Sequence, residues 1–490
     1  MYKTIEDINK GYKKKDFKPT ELVSEYLSKI KLKDQKLNSY TEVFEDLVLS
    51  HAQNLDKEID LNKSILDSNI LFGVPIALKD IFLVKDSICT AGSKMLENYV
   101  SNYDSKVYES LQKTSCLLLG KNNMDEFAMG SSTETSYYGS TLNPWDLNKV
   151  PGGSSGGSAS AVAAGLACAS IGTDTGGSIR QPASFCGIVG LKPSYGRVSR
   201  FGMIAFSSSL DQAGPLCRTV KDSAILLDSI SGYDPKDSTS LNLPPTNCYI
   251  ELCKNDFHLK DFTIGIPSKL LDIGLDEEIK ANFDLIVKEL LSNGVKVVDI
   301  DLPNAKYSVA TYYIIAPCEA SSNLSRFDGV RYGHSSNEKN IKDLEEFYIK
   351  NRSEGFGDEV KRRIMLGNYA LSSGYYDAYY LKANKVKEMI VSDFTSAFND
   401  VDCILSPTCP ELPFSLGEKK NDPLKMYLSD ILTIPANLAQ LPSISIPLSL
   451  SKNGLPIGIQ ITGKKLDENT LLKVADSLEN LIGFSAIPKD

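Results

Sequence analysis

The chain has 490 residues, 42% of them apolar and 23% charged, which is the composition of an ordinary globular protein with ample material for a core. Its formal net charge of −9 argues against a general nucleic-acid surface, which is normally basic, so any RNA is expected to be held mostly by a partner. The first residues, MYKTIEDINKGYKKKDF, have no apolar signal core, and no run of about eighteen apolar residues follows, so a soluble, intracellular, membrane-free chain is expected.

Residues 1–65 read as a charged helical layer. Thr20 is expected to cap a helix after Pro19, with Leu22, Val23, Tyr26, Leu27 and Ile30 on one face. This layer either packs on the body or docks a partner protein. Leu71–Lys79 reads as a strand with Lys79 at its end, Lys106–Thr114 as a helix, and Cys116–Gly120 as a second buried strand. Asp125–Asn143 is polar and Gly-rich, as expected of a loop over a site. Next, Ser158–Leu166 reads as a helix of small residues, Ala167–Gly172 as a short buried strand, and a helix is expected to start near Ser178. After loop and short strand over Gly196–Arg218, Val220–Ser231 reads as helix and 233–262 as an excursion. A βαβ pattern follows: strand Thr263–Pro267, a helix with Ile279, Phe283, Ile286 and Leu290 on one face, a stop at Asn293–Gly294, and strand Val295–Ile300. Helical stretches are expected around Tyr312–Arg326 and Glu359–Val391, and a hairpin where SISIPLSL and PIGIQIT flank Lys452–Asn453–Gly454. Strands alternating with helices imply an α/β architecture on a mostly parallel or mixed sheet. We read the 490 residues as one domain.

Ten cysteines lack CxxC or CxxH spacing and read as buried reduced thiols, with neither disulfides nor zinc expected. Only three histidines are present, His51, His258 and His334, so a histidine base is poorly supplied.

The chemistry concentrates in two glycine–serine clusters, Pro151–Ser158 and Thr175–Ser178. The second lies where a strand ends before a helix, a position whose free backbone N–H groups favour negative charge. A serine there suits acyl transfer, attacking a carbonyl while N–H groups hold the oxyanion. A phosphate loop needs GxxxxGK[ST] or GxGxxG, which neither PGGSSGGSA nor DTGGSIR supplies. Gly152–Gly156 satisfies GxSxG, yet NPWDLNKVP before it is not a strand pattern, and only His258 and His334 follow. A third reading makes a lysine the base: a neutral lysine in a dry pocket deprotonates one serine through another. Lys79 is the candidate, against the alternative of an ordinary surface lysine at a strand end.

Lys79, PGGSSGGS, GTDTGGSIRQPASFCGIVGLKPSYGRVSR and SSLDQAGP together resemble the amidase signature family. The resemblance implies a large mixed sheet covered by helices on both faces and a Ser–cis-Ser–Lys triad. By position the nucleophile falls on Ser178, the bridging serine on Ser154 after a cis Gly153–Ser154 bond, and the base on Lys79. The oxyanion N–H groups fall around Thr175, Gly176 and Gly177, with Asp174 and Arg180 as a supporting pair. Further matches are DEFAMGSSTE (125–134), NPWDL (143–147), DPKDSTS (234–240), EASSNLSRFDG (319–329), GFGDEVKRRIMLG (355–367), SSGYYDAYY (372–380) and DPLKMYLSDILTIPANLAQLP (422–442). These are similar to the glutamine-hydrolysing branch of the family, the A subunits of tRNA-dependent amidotransferases. That branch implies glutamine as substrate, with its carboxylate on Arg363 (or the adjacent Arg362), its ammonium on Asp430 and a contact from Tyr312. It implies no cofactor in this chain. ATP, magnesium and Glu-tRNA(Gln) are expected at a partner B subunit, and a small C subunit joins the two. The stretch Asn242–Asp261 is longer and more polar than the link usual in that branch. A stand-alone amidase acting on another amide and a non-catalytic scaffold are the rival readings.

Overall fold

The computed structural model describes residues 3–62, 64–272, 274–338 and 341–489. Eleven strands among them form one mixed sheet: β1 (Tyr40–Val43), β2 (Pro75–Lys79), β3 (Leu117–Asn122), β4 (Ala169–Asp174), β5 (Val189–Lys192), β6 (Gln212–Cys217), β7 (Thr263–Ile266), β8 (Lys296–Asp299), β9 (Cys403–Pro407), β10 (Ser443–Leu450) and β11 (Pro456–Gly463). Their order is β1-β3-β2-β4-β6-β5-β10-β11-β9-β7-β8. β2 runs parallel to β3 and β4, and β7 parallel to β8 and β9. The pairs from β4 through β6, β5, β10 and β11 to β9 are antiparallel. Most interior strands, β2, β3, β4, β6 and β11 among them, are buried along their whole length, so side chains on both faces need cover. That is why strands such as β2 and the start of β3 read as apolar runs and not as alternation.

The helices supply the cover, and most begin where local sequence dictates. The Glu277–Ser292 helix starts at Asp276, whose side chain caps Glu278 and Ile279, and it buries Ile279, Phe283, Ile286 and Leu290 as its period predicts. The Gly156–Ala163 helix is entirely buried. Its lack of bulk is a requirement: a Cβ on Gly157 would lie 2.3 Å from the Asn123 carbonyl oxygen. The hairpin pairs Ser443–Leu450 with Pro456–Gly463 as read.

Several details differ from the sequence reading. Thr20 is not a cap. The helix runs Pro19–Leu37, the Lys18 N–H donates to Glu21 (2.8 Å), and the Thr20 hydroxyl donates to Asp56 on the Glu45–Leu61 helix (2.6 Å). The single stretch expected over Glu359–Val391 is broken at Ser372–Tyr376, where Gly374 has φ 88°. The pieces are the Asp358–Leu371 helix, a wide turn over Asp377–Leu381 and the Lys382–Ala397 helix. The Leu344–Gly355 helix gives no apolar period because it buries only Asn351 and Gly355. The helix after the second glycine–serine cluster starts at Arg180, two residues beyond Ser178. Within 233–262, the Cys248–Lys254 helix folds back onto the body: Asp228 accepts from the N–H groups of Cys248 (2.8 Å) and Tyr249 (2.9 Å) and from the Thr246 hydroxyl (2.6 Å). All ten cysteines are free thiols, nine of them buried; Cys253 is exposed, because it lies on the outer face of that helix. Among the described residues no helix is long and apolar enough to cross a membrane.

Substituting Gly157→Ala forces the helix off the β3–Met124 backbone and is expected to cost about 1–3 kcal/mol of stability, read as a lowered melting temperature.

Candidate active site

Parallel β2 and β4 end side by side, so Lys79, Thr173 and Asp174 come together at the carboxyl end of the sheet, where ligands bind in open α/β folds. Lys79 is fully buried. Its Nζ meets three hydroxyls: Ser154 Oγ at 2.7 Å, Ser155 Oγ at 2.9 Å and Thr173 Oγ1 at 2.9 Å. Burial pulls its pKa down to about 7, against the opposing charges of Asp125, Asp174 and Asp211. A neutral amine has two hydrogens and one lone pair, so one of the three hydroxyls donates to it. Ser155 is not that donor, since its hydrogen goes to the Thr173 carbonyl (3.1 Å) while its oxygen accepts the Thr173 N–H (3.3 Å). Ser154, the closest, is free to give its proton to Lys79. Sequence reasoning missed Ser155 and Thr173, although the doubled serine of GGSSGG was the available signal.

The Gly153–Ser154 peptide is cis. The Gly153 N–H donates to Gln181 Oε1 (2.9 Å), and the Ser154 carbonyl accepts from the Asp125 N–H (3.2 Å). Ser178 is joined to this segment by the Ser155 N–H, which donates to the Ser178 carbonyl (3.2 Å). Ser178 is 8% exposed, and its hydroxyl makes no hydrogen bond among the described residues, to Ser154 or to any other group. The two serines are therefore brought to one place without a closed hydroxyl-to-hydroxyl bond.

The loop from Asp174 to Ser178 is shaped by a buried ion pair. Arg180 Nε and Nη2 each lie 3.0 Å from an Asp174 oxygen, and both side chains are fully buried. Burial alone would raise the Asp174 pKa, yet Arg180 overrides it and holds the carboxyl at about 2. That carboxylate also accepts the N–H groups of Gly177 (2.9 Å) and Ile179 (3.2 Å). The Gly177 N–H is thus already engaged, which departs from the expectation that it faces an oxyanion. The N–H groups of Gly176 and Ser178 make no hydrogen bond to any described residue. The Thr175 hydroxyl donates to Asp211 (2.8 Å). Gly176 carries no side chain because Tyr312 leaves no room: a Cβ would sit 2.8 Å from the phenol Cζ.

The Arg363 and Asp430 side chains are both buried. Arg363 Nε donates to Glu359 (2.8 Å), and its guanidinium lies over the rings of Tyr313, Tyr427 and Phe206 at 5.3, 5.4 and 5.6 Å. Its two terminal nitrogens make no hydrogen bond among the described residues. The neighbouring Arg362 is 44% exposed in its side chain against 3% for Arg363, which separates the two arginines that spacing left equivalent. Asp430 Oδ2 accepts the Ser131 hydroxyl (2.5 Å), whereas Oδ1 is buried with no partner. Burial pushes this carboxyl up to about 7. A cavity of about 350 Å³ is lined by Ser131, Ser132, Arg362, Arg363 and Tyr427, among others; Ser178 is not in its wall. Thr433 laces the two halves, donating to the Gly176 carbonyl (2.6 Å) and accepting at its own carbonyl from Arg180 (3.0 Å).

The GxSxG elbow finds no support, since turns and not a strand precede Ser154. His334 meets Glu354 (2.9 Å) and Glu97 (3.5 Å) and makes no hydrogen bond to either glycine–serine cluster among the described residues. Among the described residues no group of three or more His, Cys, Asp or Glu is placed to hold a metal ion.

Comparison with known proteins agrees with this geometry. The Amidase family matches residues 21–472. The chain is 52% identical over 479 residues to the glutamyl-tRNA(Gln) amidotransferase A subunit of Sulfurihydrogenibium sp. (strain YO3AOP1), covering 98% of this chain and 97% of that one. It is 51% identical over 485 residues to the protein of the same name from Persephonella marina, covering 99% and 98%. Among solved structures, the glutamyl-tRNA(Gln) amidotransferase A subunit from Thermotoga maritima superposes with a TM-score of 0.79 at 40% identity, covering 96% of this chain and 94% of that one. With a matching sheet, a buried lysine among hydroxyls and a relatedness that spans nearly every residue, the chain belongs to the Amidase family.

Proposed function

We propose that this chain is the glutamine-hydrolysing component of a glutamyl-tRNA(Gln) amidotransferase, and that Ser178, Ser154 and Lys79 carry the hydrolysis. The observation that carries the reading is the neutral-lysine site, Lys79 among hydroxyls, in a chain about half identical over its full length to A subunits of that enzyme. The pairing of Arg363, with two open nitrogens, and Asp430, with one orphaned oxygen, supports an α-amino acid as substrate. A guanidinium fork suits the α-carboxylate and a buried carboxylate suits the α-ammonium. The ammonium also supplies the charge that keeps Asp430 ionised once substrate is bound. Tyr312 closes over Gly176 and packs edge-on against Tyr313, one of the rings beneath Arg363.

Ser178 Oγ attacks the side-chain amide carbon of glutamine. Its proton passes to Ser154, whose own proton passes to Lys79 Nζ. The N–H groups of Gly176 and Ser178 hold the oxygen as it becomes negative. Lys79 returns the proton through Ser154 to the leaving nitrogen, ammonia departs, and a γ-glutamyl ester remains on Ser178. Water, deprotonated by the same route, releases glutamate. The ammonia would be consumed in a partner B subunit, the expected seat of ATP, magnesium and Glu-tRNA(Gln), with a small C subunit joining the two chains. No cofactor is assigned to this chain, and the acidic surface leaves tRNA to the partner. We place all of this in the cytoplasm and treat residues 1–490 as one domain.

Ser178→Ala is expected to lower ammonia release from glutamine at least about 1,000-fold, measured on the full chain with its partner subunits. Unchanged release would sink the catalytic assignment. Lys79 must be neutral to accept a proton, so kcat/KM is expected to rise with pH, gain tenfold per unit below about 7, and level off above it. Arg363→Ala removes a charge-assisted contact of about 2–3 kcal/mol and is expected to raise the KM for glutamine roughly 30- to 150-fold. An amidase acting on amides without an α-carboxylate would tolerate that change.

A further inference from the structure

The adjacent acids Asp125 and Glu126 are not part of the reacting set, yet each is buried against a different half of the site. Asp125 faces the serine half. Its main-chain N–H, which substitution leaves in place, donates to the Ser154 carbonyl (3.2 Å), and its side chain reaches the serine segment through Thr133, whose hydroxyl donates to the Gly152 carbonyl (2.8 Å) and accepts the Gly156 N–H (3.1 Å). Its carboxylate accepts the N–H groups of Ser132 (3.3 Å), Thr133 (2.8 Å) and Thr135 (3.3 Å) and the Thr135 hydroxyl (2.8 Å). The fit against Gly153 is close: a Cβ there would lie 2.1 Å from Asp125 Oδ2. Burial pushes this carboxyl up, against the N–H donors on both of its oxygens and Lys79, which favour the ionised form. Glu126 faces the arginine half. It accepts the Ser93 hydroxyl (2.5 Å) and the N–H of Gly357 (2.9 and 3.1 Å), the residue that opens the Asp358–Leu371 helix carrying Arg363. Thr135 joins the two acids, accepting the Glu126 N–H (3.1 Å) while its hydroxyl donates to Asp125.

We infer that Asp125 and Glu126 are a pair of positioning residues, Asp125 fixing Ser154 beneath Lys79 and Glu126 fixing the helix that presents Arg363, so that one dipeptide sets the span between the acylating hydroxyls and the carboxylate-binding end. This rests on the function proposed above. It divides labour in a way that simple packing does not: loss of Asp125 acts on the chemical step, and loss of Glu126 on substrate binding. The Asp125 charge also faces Lys79 together with those of Asp174 and Asp211, and all three favour the protonated amine. Removing one of them shifts the lysine further toward the neutral form.

The test is steady-state glutamine hydrolysis across pH by the full chain with its partner subunits. Asp125→Asn, which keeps the shape, is expected to lower kcat about 10- to 100-fold with little change in KM, and to move the acid limb to lower pH. Glu126→Ala is expected to raise KM about tenfold with kcat and the limb unmoved, and Glu126→Gln, which can still accept from Gly357, to recover most of the loss. Should Asp125→Asn fail to fold, Thr133→Val removes the hydroxyl that links the Asp125-bound segment to Gly152 and Gly156 and is expected to lower kcat in the same sense with KM little changed. If the unaltered chain hydrolyses glutamine but both substitutions change kcat and KM in the same proportion with the limb unmoved, the pairing is wrong and the function stands. No hydrolysis by the unaltered chain overturns both.

Discussion

The Asp174–Arg180 ion pair is the constraint from which the site is built. Burying two charges is costly unless each is paired and every hydrogen-bonding position is filled. Here they are: Arg180 uses its donors on both oxygens of Asp174, on the Thr433 carbonyl, on Gln460 (3.1 Å) and on Asn437 (2.6 Å). One side chain therefore ties the end of β4 to the first turn of its own helix, to the 430–437 segment and to β11. Removing either partner would leave an uncompensated buried charge, at a cost of about 3–5 kcal/mol. The loop between them is held by Asp174 at the Gly177 and Ile179 N–H groups, while those of Gly176 and Ser178 make no hydrogen bond among the described residues.

Around that frame the electrostatics work by contrast. Lys79 is surrounded by three carboxylates yet is nearest to three neutral hydroxyls, and it makes no ion pair among the described residues. Desolvation outweighs the distant charges, so an amine that would be cationic in water is a base near neutrality. Lys121, one strand away and equally buried, shows the opposite outcome: Asp80 lies 3.3 Å from its Nζ, and its pKa is raised. Two fully buried lysines on neighbouring strands are thus pushed in opposite directions, Lys121 up by Cys89 and Asp80 beside it and Lys79 down by burial among three neutral hydroxyls.

Much of this was legible in the sequence, for identifiable reasons. Strands buried on both faces betray themselves as apolar runs, and helices such as Glu277–Ser292 carry a clean stripe. The glycine–serine clusters exposed the reacting loops, and the resemblance carried by GTDTGGSIRQPASFCGIVGLKPS indicated the cis Gly153–Ser154 bond that no propensity could suggest. What sequence could not supply was partner choice among equivalent groups. Arg362 and Arg363 are indistinguishable by spacing, and only the rings of Tyr313, Tyr427 and Phe206 single out the second. The Gly177 N–H looked like an oxyanion donor until Asp174 claimed it. Thr173 was invisible because its hydroxyl becomes a ligand of Lys79 only through the pairing of β2 with β4, whereas Ser155 was signalled only by the doubled serine of GGSSGG. The polar Leu344–Gly355 helix escaped because it buries too little to leave a period.

The most direct test of the account is peptide-mapped mass spectrometry after incubating the full chain and its co-purified partners with an electrophilic glutamine analogue. The account predicts a single adduct on Ser178, suppressed by excess glutamine. An adduct on Ser154, or an adduct on Ser178 that glutamine does not suppress, would contradict it.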